Sequence, residues 1–311
     1  MPLTRSRLTA DALGTVSAAL SCLFIITALL CVAHSVYFRR CIIRKQRVLP
    51  QLAYFNGPWA TRIALILIAI WWAAWEIARL SLLRGRGRIL ADPAWQKGFC
   101  KYYVLSNMGF AEPALFLILA LLLRASLLNE PGALGRRWNS RTLFWALLIC
   151  LPLFILHLGI LMSSSSSHGV DQLPAYFWST AYPDLTDERR EGVYFCTYPL
   201  LSTALVGLYE VILVVYVSYR GVLLVSAVVN IGLKRRVGVL LFSVVACLPL
   251  RVALLGISVL LAPGSPGFDG LVFSAFLTLL WCAAVAVWVL VYRPVADSMG
   301  LRGLAGAEQD H

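Results

Sequence analysis

Charged side chains are scarce in this chain. Asp, Glu, Lys and Arg make up 14% of its 311 residues, whereas hydrophobic residues make up 60%. Soluble domains are about one-quarter charged, so the composition excludes an ordinary water-soluble protein and indicates a membrane protein. The segments between the hydrophobic runs are too short to fold as units of their own. We therefore predict a single domain, residues 1–311, embedded in a lipid bilayer.

The residues that carry several kinds of membrane chemistry are also few. All four lysines fall in predicted loops or at predicted helix ends, which excludes a retinal Schiff base among the helices. The four histidines are scattered, without the HExxH or HxxxH spacing of a zinc hydrolase. The sequence contains no glycine-rich phosphate loop and no Gly-x-Ser-x-Gly motif. We expect no enzymatic activity, no bound metal and no cofactor.

The net charge of +12 does not indicate a nucleic-acid partner. The basic residues form short clusters beside apolar runs, rather than a face interleaved with aromatic residues. Basic clusters in this position are typical of the ends of membrane helices. We therefore expect the lipid bilayer, and no nucleic acid, as a partner.

Seven apolar segments have the length of membrane-spanning helices. The predicted all-α fold is a bundle of helices at about residues 12–38, 59–83, 108–128, 142–162, 197–219, 237–261 and 271–292.

The stretch from Phe99 to Leu128 is the one around which we expect the bundle to be organised. Its apolar part, residues 108–128, is about 32 Å long as a helix, close to the hydrocarbon thickness of a bilayer. Glu112 and Pro113 lie near its start, and Cys100 lies just before it. A middle helix with a buried acid and a nearby cysteine is suited to hold neighbouring helices together.

Basic residues predict the orientation of the bundle. The segment from Arg39 to Arg47 has five basic residues in nine, and the positive-inside rule places it in the cytoplasm. The loop from Asp171 to Glu191 is acidic and is predicted to lie outside. Lys and Arg number fifteen in the segments assigned to the inner side and nine in those assigned to the outer side. This bias predicts an amino terminus outside and a carboxyl terminus in the cytoplasm, although basic residues between 84 and 101 favour the opposite orientation.

Four polar residues of the helices are predicted to line a ligand cavity in the outer half of the bundle. Glu76 and Arg79 are three residues apart on one helix face, where they can also simply neutralise each other. Glu112 and His157 fall toward the outer ends of the third and fourth helices. For these two, cavity lining and local hydrogen bonding remain alternatives.

Two further charges are predicted near the middle of the membrane. Glu210 on the fifth helix and Arg251 on the sixth are at similar depths on neighbouring antiparallel helices, so we predict a buried ion pair between them. Such a pair can serve as a structural link or as a latch that moves.

Cys100 and Cys196 are predicted to form a disulfide. Of the eight cysteines, five fall within apolar helices and Cys41 falls in the inner basic cluster, which leaves these two on the oxidising side. A bond between them would draw the long outer loop across the bundle. The alternative is two reduced cysteines that pack near the membrane interface.

Several blocks of the sequence resemble plant seven-transmembrane proteins proposed as candidate G-protein-coupled receptors. They include AYFNGPWATRIALILIAIWWAAWEIARLSLLR from Ala53, FCKYYVLSNMGFAEPALF from Phe99, LLFSVVACLPLRVALLGISVL from Leu240 and VLVYRPVADS from Val289. The resemblance covers most of the chain. It implies a protein of the plasma membrane or an endomembrane that couples to a heterotrimeric G-protein alpha subunit.

The sequence thus predicts a receptor-like signalling protein with an unknown small ligand. A small-solute or proton-coupled transporter and a non-catalytic membrane scaffold remain alternatives. The predicted surface for an intracellular partner consists of basic residues in two inner segments: Arg39, Arg40, Arg44, Lys45, Arg47, Lys234, Arg235 and Arg236.

Overall fold

Seven helices of the described chain are long and apolar enough to cross a membrane. The structure, a computed structural model, describes residues 2–45, 58–80, 92–125, 136–163, 174–183, 194–228 and 230–296. The helices are α1 (Pro2–Lys45), α2 (Trp59–Arg79), α3 (Pro93–Ala125), α4 (Arg136–Ser163), α5 (Leu200–Ala227), α6 (Ile231–Val259) and α7 (Pro266–Val287, continued by a π-helical turn at Trp288–Tyr292). The predicted all-α membrane bundle of seven helices is confirmed.

The third helix begins well before the apolar run that was used to predict it. Its first residue is Pro93 rather than residue 108, because Asp92 caps it: the Asp92 carboxylate accepts a hydrogen bond of 2.9 Å from the Ala94 amide. Proline at the first helical position and aspartate before it are a strong helix start. Cys100 therefore lies inside α3 and not in a preceding loop, which corrects the prediction.

The segment that joins the fifth and sixth helices is also more helical than the apolar runs alone indicate. The fifth helix continues to Ala227, eight residues beyond its predicted end at residue 219. The sixth helix starts at Ile231, where the Asn230 side chain accepts hydrogen bonds from the amides of Gly232 and Leu233. An asparagine cap explains a start six residues earlier than residue 237.

The third helix is the most enclosed of the seven. In its most apolar stretch 83% of the residues are buried, against at most 56% in any other span. Its second half, Glu112–Ala125, contributes Leu115, Ile118 and Leu119 to the main apolar core. The prediction of a central third helix is consistent with this burial.

A π-helical turn at Asn107–Ala111 interrupts α3 just before a proline. The amide of Glu112 donates to the carbonyl of Asn107, five residues back, in place of the usual bond four residues back. Pro113 has no amide hydrogen and would crowd the carbonyl four residues earlier in a regular α-helix. The wider turn accommodates the proline and rotates the second half of α3 relative to the first.

A small β-hairpin covers one end of the bundle. Strand β1 (Ala181–Pro183) pairs antiparallel with β2 (Tyr194–Cys196), with Ala181 opposite Cys196. The Tyr194 amide donates a 2.9 Å hydrogen bond to the side chain of Gln96 on α3.

The disulfide between Cys100 and Cys196 fixes this hairpin to α3. The two Cα atoms are 5.2 Å apart, within the usual range for a disulfide. The predicted pairing is confirmed, and it holds the hairpin to α3 at the end of the bundle where α2 finishes and α7 begins. We call this the hairpin end of the bundle, and the opposite end, where α1 finishes and α6 begins, the basic end.

Removing the disulfide is expected to destabilise the protein. The bond closes a segment with a sequence separation of 96, for which loop-closure entropy gives an upper value of about 4–5 kcal/mol. We expect Cys196→Ser to lower the thermal midpoint in detergent by several degrees. The matched control is Cys22→Ser, which replaces an exposed free cysteine of α1 and should leave the midpoint unchanged. Alkylation of both Cys100 and Cys196 in unreduced protein would contradict the assignment.

Candidate functional site

A cavity of about 90 Å³ opens at the hairpin end. We call it the mouth pocket; it lies between α1, α2, β2 and α7, and its walls are mainly apolar and aromatic side chains. Two charged side chains line it, Arg79 from the end of α2 and Asp269 from the first turn of α7. Asp269 is within electrostatic range of Arg79. The pocket thus offers one cation and one anion to a small polar molecule.

Arg79 is held in the pocket wall by Glu76. Its Nε donates to Glu76 Oε2 at 3.2 Å, and its Nη2 is 3.2 Å from the same oxygen. The Glu76 side chain is only 2% exposed and that of Arg79 is 13% exposed. The expected pairing of these two residues is confirmed, and the arginine is the member that faces the cavity.

The second carboxylate oxygen of Glu76 connects α2 to α3. Glu76 Oε1 accepts hydrogen bonds from the Tyr103 hydroxyl at 2.8 Å and from Asn107 Nδ2 at 3.3 Å. The Tyr103 hydroxyl is also 2.8 Å from that of Tyr198, just before α5. Burial raises the pKa of Tyr198 to about 12, so this hydroxyl stays protonated at neutral pH. The Tyr198 hydroxyl can therefore donate to the Tyr103 hydroxyl, while Tyr103 donates to the Glu76 carboxylate.

A second buried ion pair lies deeper, between Glu112 of α3 and Arg251 of α6. Nε of Arg251 donates to Glu112 Oε2 at 3.1 Å, and its Nη2 bonds Oε1, so the contact is bidentate. Nη1 of Arg251 donates to the carbonyl of Ala275 on α7 at 2.7 Å. The guanidinium carbon is 5.9 Å from the ring centroid of Trp72 on α2. One side chain therefore connects four helices.

This arrangement corrects the predicted pairing of Glu210 with Arg251. The guanidinium bonds Glu112, because α3 lies in the middle of the bundle and the π turn sets the position of its second half. Glu210 is 4% exposed, and neither of its carboxylate oxygens has a hydrogen-bond partner within the described residues. It is within electrostatic range of both Glu112 and Arg251. Glu210 is thus a near neighbour of the pair rather than a member of it.

The four residues predicted to share one cavity are separated. Arg79 lines the mouth pocket, Glu76 lies behind it, and Glu112 is bonded to Arg251. His157 is fully buried, and its Nδ1 is 2.9 Å from the carbonyl of Leu153 in the preceding turn of α4. Cavity lining and local hydrogen bonding were the two alternatives for His157, and the structure shows local hydrogen bonding.

At the basic end the structure describes part of the predicted partner surface. Arg40, Lys234 and Arg235 are exposed, and Arg236 is half-buried. Arg39 is half-buried as well, with its guanidinium carbon 3.5 Å from the ring centroid of Trp59. The side chains of Arg44 and Lys45, and the whole of Arg47, lie outside the described residues. Exposed basic side chains of α1 and α6 thus lie at one end of the bundle.

Sequence reasoning missed four polar residues of these clusters. Tyr103 and Asn107 lie in a part of α3 that was predicted as a loop, and Asp269 lies in a turn of α7 that was predicted to precede it. Tyr198 precedes α5 and carries no motif. The helix caps before α3 and α7, Asp92-Pro93 and Ser265-Pro266, would have placed the first three on helices. No group of three or more His, Cys, Asp or Glu side chains suited to a metal ion occurs among the described residues.

Comparison with known proteins gives a family and no function. The match to the family described as "Uncharacterised conserved protein UCP031277" covers residues 1–308. A comparison with curated proteins finds no match. The residues of the mouth pocket, of both ion pairs and of the disulfide lie within the matched range. The chain belongs to the family of uncharacterised conserved proteins UCP031277.

Proposed function

We propose that the protein is a receptor-like membrane protein that binds a small polar ligand in the mouth pocket and acts on an intracellular partner at the basic end. The observation that carries the proposal is the double role of Arg79. It lines the pocket, and it is also bonded to Glu76, which holds Tyr103 and Asn107 of α3. A ligand with an anionic or hydrogen-bond-accepting group would compete with Glu76 for Arg79. Binding would thereby alter contacts between α2 and the central helix.

The Glu76–Arg79 pair and the Glu112–Arg251 pair are close enough for such a change to reach the middle of the bundle. Arg251 is within electrostatic range of Glu76 and Tyr198. Coupling requires an element that both sites contact and that has two arrangements. The first half of α3 contacts Glu76 and the second half holds Arg251, with the π turn between them. We propose α3 as that element.

For the intracellular partner we propose a heterotrimeric G-protein alpha subunit, as the sequence resemblance implies. Support comes from the exposed basic side chains of α1 and α6 at the basic end, which would complement an acidic partner surface. The membrane we propose is the plasma membrane or an endomembrane.

An amino terminus outside and a carboxyl terminus in the cytoplasm are part of the same proposal. Two independent features support this orientation. Disulfides persist in oxidising compartments, and the Cys100–Cys196 bond lies at the hairpin end. Basic clusters favour the cytoplasm, and Lys234 and Arg235 lie at the opposite end.

Cysteine labelling tests the orientation. Ala94 is exposed at the hairpin end and Lys234 is exposed at the basic end. In intact cells a membrane-impermeant maleimide is expected to label Ala94→Cys, while Lys234→Cys should react only after permeabilisation. The unsubstituted protein gives the background. The reverse pattern would place the mouth pocket in the cytoplasm.

A nucleotide-exchange assay tests the partner. The protein in lipid nanodiscs is expected to accelerate nucleotide exchange on an added G-protein alpha subunit. Charge reversal in Lys234→Glu/Arg235→Glu should reduce the acceleration by about tenfold or more, since like charges placed across an interface cost several kcal/mol. Arg137→Glu is the matched control, because Arg137 is exposed at the amino end of α4 and lies outside the proposed surface. Equal loss in the control, or no acceleration by the unsubstituted protein, would contradict the proposal.

Proton-coupled transport is the second candidate function. The specific observation in its favour is Glu210, a buried carboxyl without a hydrogen-bond partner among the described residues. Ionisable groups buried at membrane depth are typical of proton and ion pathways. Proton flux in reconstituted vesicles without nucleotide exchange would favour this function, and the absence of both activities would favour a scaffold.

A further inference from the structure

Two buried carboxyl groups compete for one guanidinium in the middle of the bundle. Glu112, Arg251 and Glu210 are 1%, 2% and 4% exposed. Arg251 bonds both oxygens of Glu112, whereas the two oxygens of Glu210 are without hydrogen-bond partners within the described residues. The three side chains come from α3, α6 and α5. Tyr209, next to Glu210, donates a 3.4 Å hydrogen bond to the carbonyl of Pro113, next to Glu112, and Glu210 is within electrostatic range of Glu112 and Arg251. The group as a whole has one more acid than base.

Among the residues that the structure describes, no second cation acts on Glu210 to balance this charge. The charged groups that act on it are Glu112 from α3 and Arg251 from α6. The titratable groups nearby are the Cys282 thiol of α7 and the adjacent Tyr209 of α5, which faces Cys150 of α4. All three of these are neutral at physiological pH in their ordinary forms. An isolated anion buried in apolar surroundings is strongly unfavourable. Glu112, Arg251 and Glu210 together are therefore most stable when they also bind one positive charge, such as a proton.

We propose that Glu112 and Glu210 form a proton-binding site and share a single proton. In the arrangement described above, Glu112 is the carboxylate that bonds Arg251, and Glu210 holds the proton. In the alternative arrangement the proton leaves the Glu210 oxygen and binds a Glu112 oxygen, while the guanidinium moves from Glu112 to Glu210. The site holds two carboxyls, one guanidinium and one proton in both arrangements. Its net charge is zero in each, so the exchange needs no external acid or base.

The exchange would change which helices are tied together. With Glu112 as partner, Arg251 links α6 to α3, and with Glu210 as partner it would link α6 to α5. Its bond to the Ala275 carbonyl and its position beside Trp72 can hold the guanidinium near both acids. Freeing Glu112 would release the second half of α3 at the point where the π turn ends. Neither the ligand nor the intracellular partner is needed for this exchange.

Infrared spectroscopy of the full chain in lipid tests the site. Protonated carboxyl groups have a carbonyl-stretch band that shifts in D₂O. We expect the unsubstituted protein to show one such group that disappears in Glu210→Gln, which removes the acid that carries the proton. It should disappear equally in Glu112→Gln, because Arg251 then requires Glu210 as a carboxylate. Asp269→Asn, which changes a half-buried acid outside the site, should leave this band in place.

The Glu112→Gln variant distinguishes a proton shared by Glu112 and Glu210 from a proton that stays on Glu210 whatever residue is at position 112. If Glu210 is neutral only because it is buried, its band persists in Glu112→Gln, and the proposal is wrong. Absence of the band from the unsubstituted protein would also overturn it.

Stability in detergent gives a second measurement. Glu112→Gln and Glu210→Gln should each fold with a modest loss, since each leaves Arg251 one carboxylate. The double variant leaves none and should lose more than the sum of the two. A Glu112→Gln variant that fails to fold, or an additive double variant, would show that Glu210 cannot replace Glu112.

Discussion

The bundle depends on how an arginine is accommodated inside a membrane protein. A charged side chain at the centre of a spanning helix costs about 2.5–3.5 kcal/mol on insertion scales, so it persists where partners surround it. Arg251 has a carboxylate on α3, a carbonyl on α7 and an aromatic ring on α2. These contacts come from three directions, so the positions of four helices are constrained at one point. Such polar links matter more in a bilayer than in water, because lipid tails are as apolar as leucine and no hydrophobic driving force brings the helices together.

The central helix can meet both ionic clusters because it is not a regular α-helix. Asn107 begins the π turn and bonds Glu76, while Glu112 follows the turn and bonds Arg251. One proline, Pro113, explains the wide turn, since it cannot donate the hydrogen bond that a regular turn requires. The disulfide at Cys100 then holds the first half of the helix to the hairpin above the mouth pocket. A local feature of the backbone thus joins the pocket to the middle of the membrane.

The sequence predicted the number of helices, the disulfide and the Glu76–Arg79 pair, because each depends on composition or on short spacing. It misplaced the start of α3, since an apolar run locates the part of a helix within the membrane and not its first residue. The cap Asp92-Pro93 was the better guide to that start. The partner of Arg251 was predicted wrongly, because a third helix that starts at residue 108 has Glu112 near its outer end, whereas the observed α3 starts at Pro93. In addition, depth in the membrane alone does not give the rotation of α3, which decides between Glu112 and Glu210. A sequence separation of 139 between Glu112 and Arg251 leaves no local pattern to recognise. The shared cavity failed as a prediction for the same reason, since depth in the membrane does not specify which face of a helix meets which neighbour.

A double-mutant cycle on Glu112 and Arg251 in the Glu210→Gln background tests most directly whether this contact organises the bundle. In that background Glu210 is no longer an acid, so Glu112 is the one of these two residues that can still pair with Arg251. Glu112→Gln should then cost about 3–5 kcal/mol of unfolding free energy, because it strands a buried guanidinium. Adding Arg251→Met should recover most of that loss, giving a coupling energy of several kcal/mol between the two positions. Additive losses would contradict the account, since they would mean that the two side chains do not depend on each other.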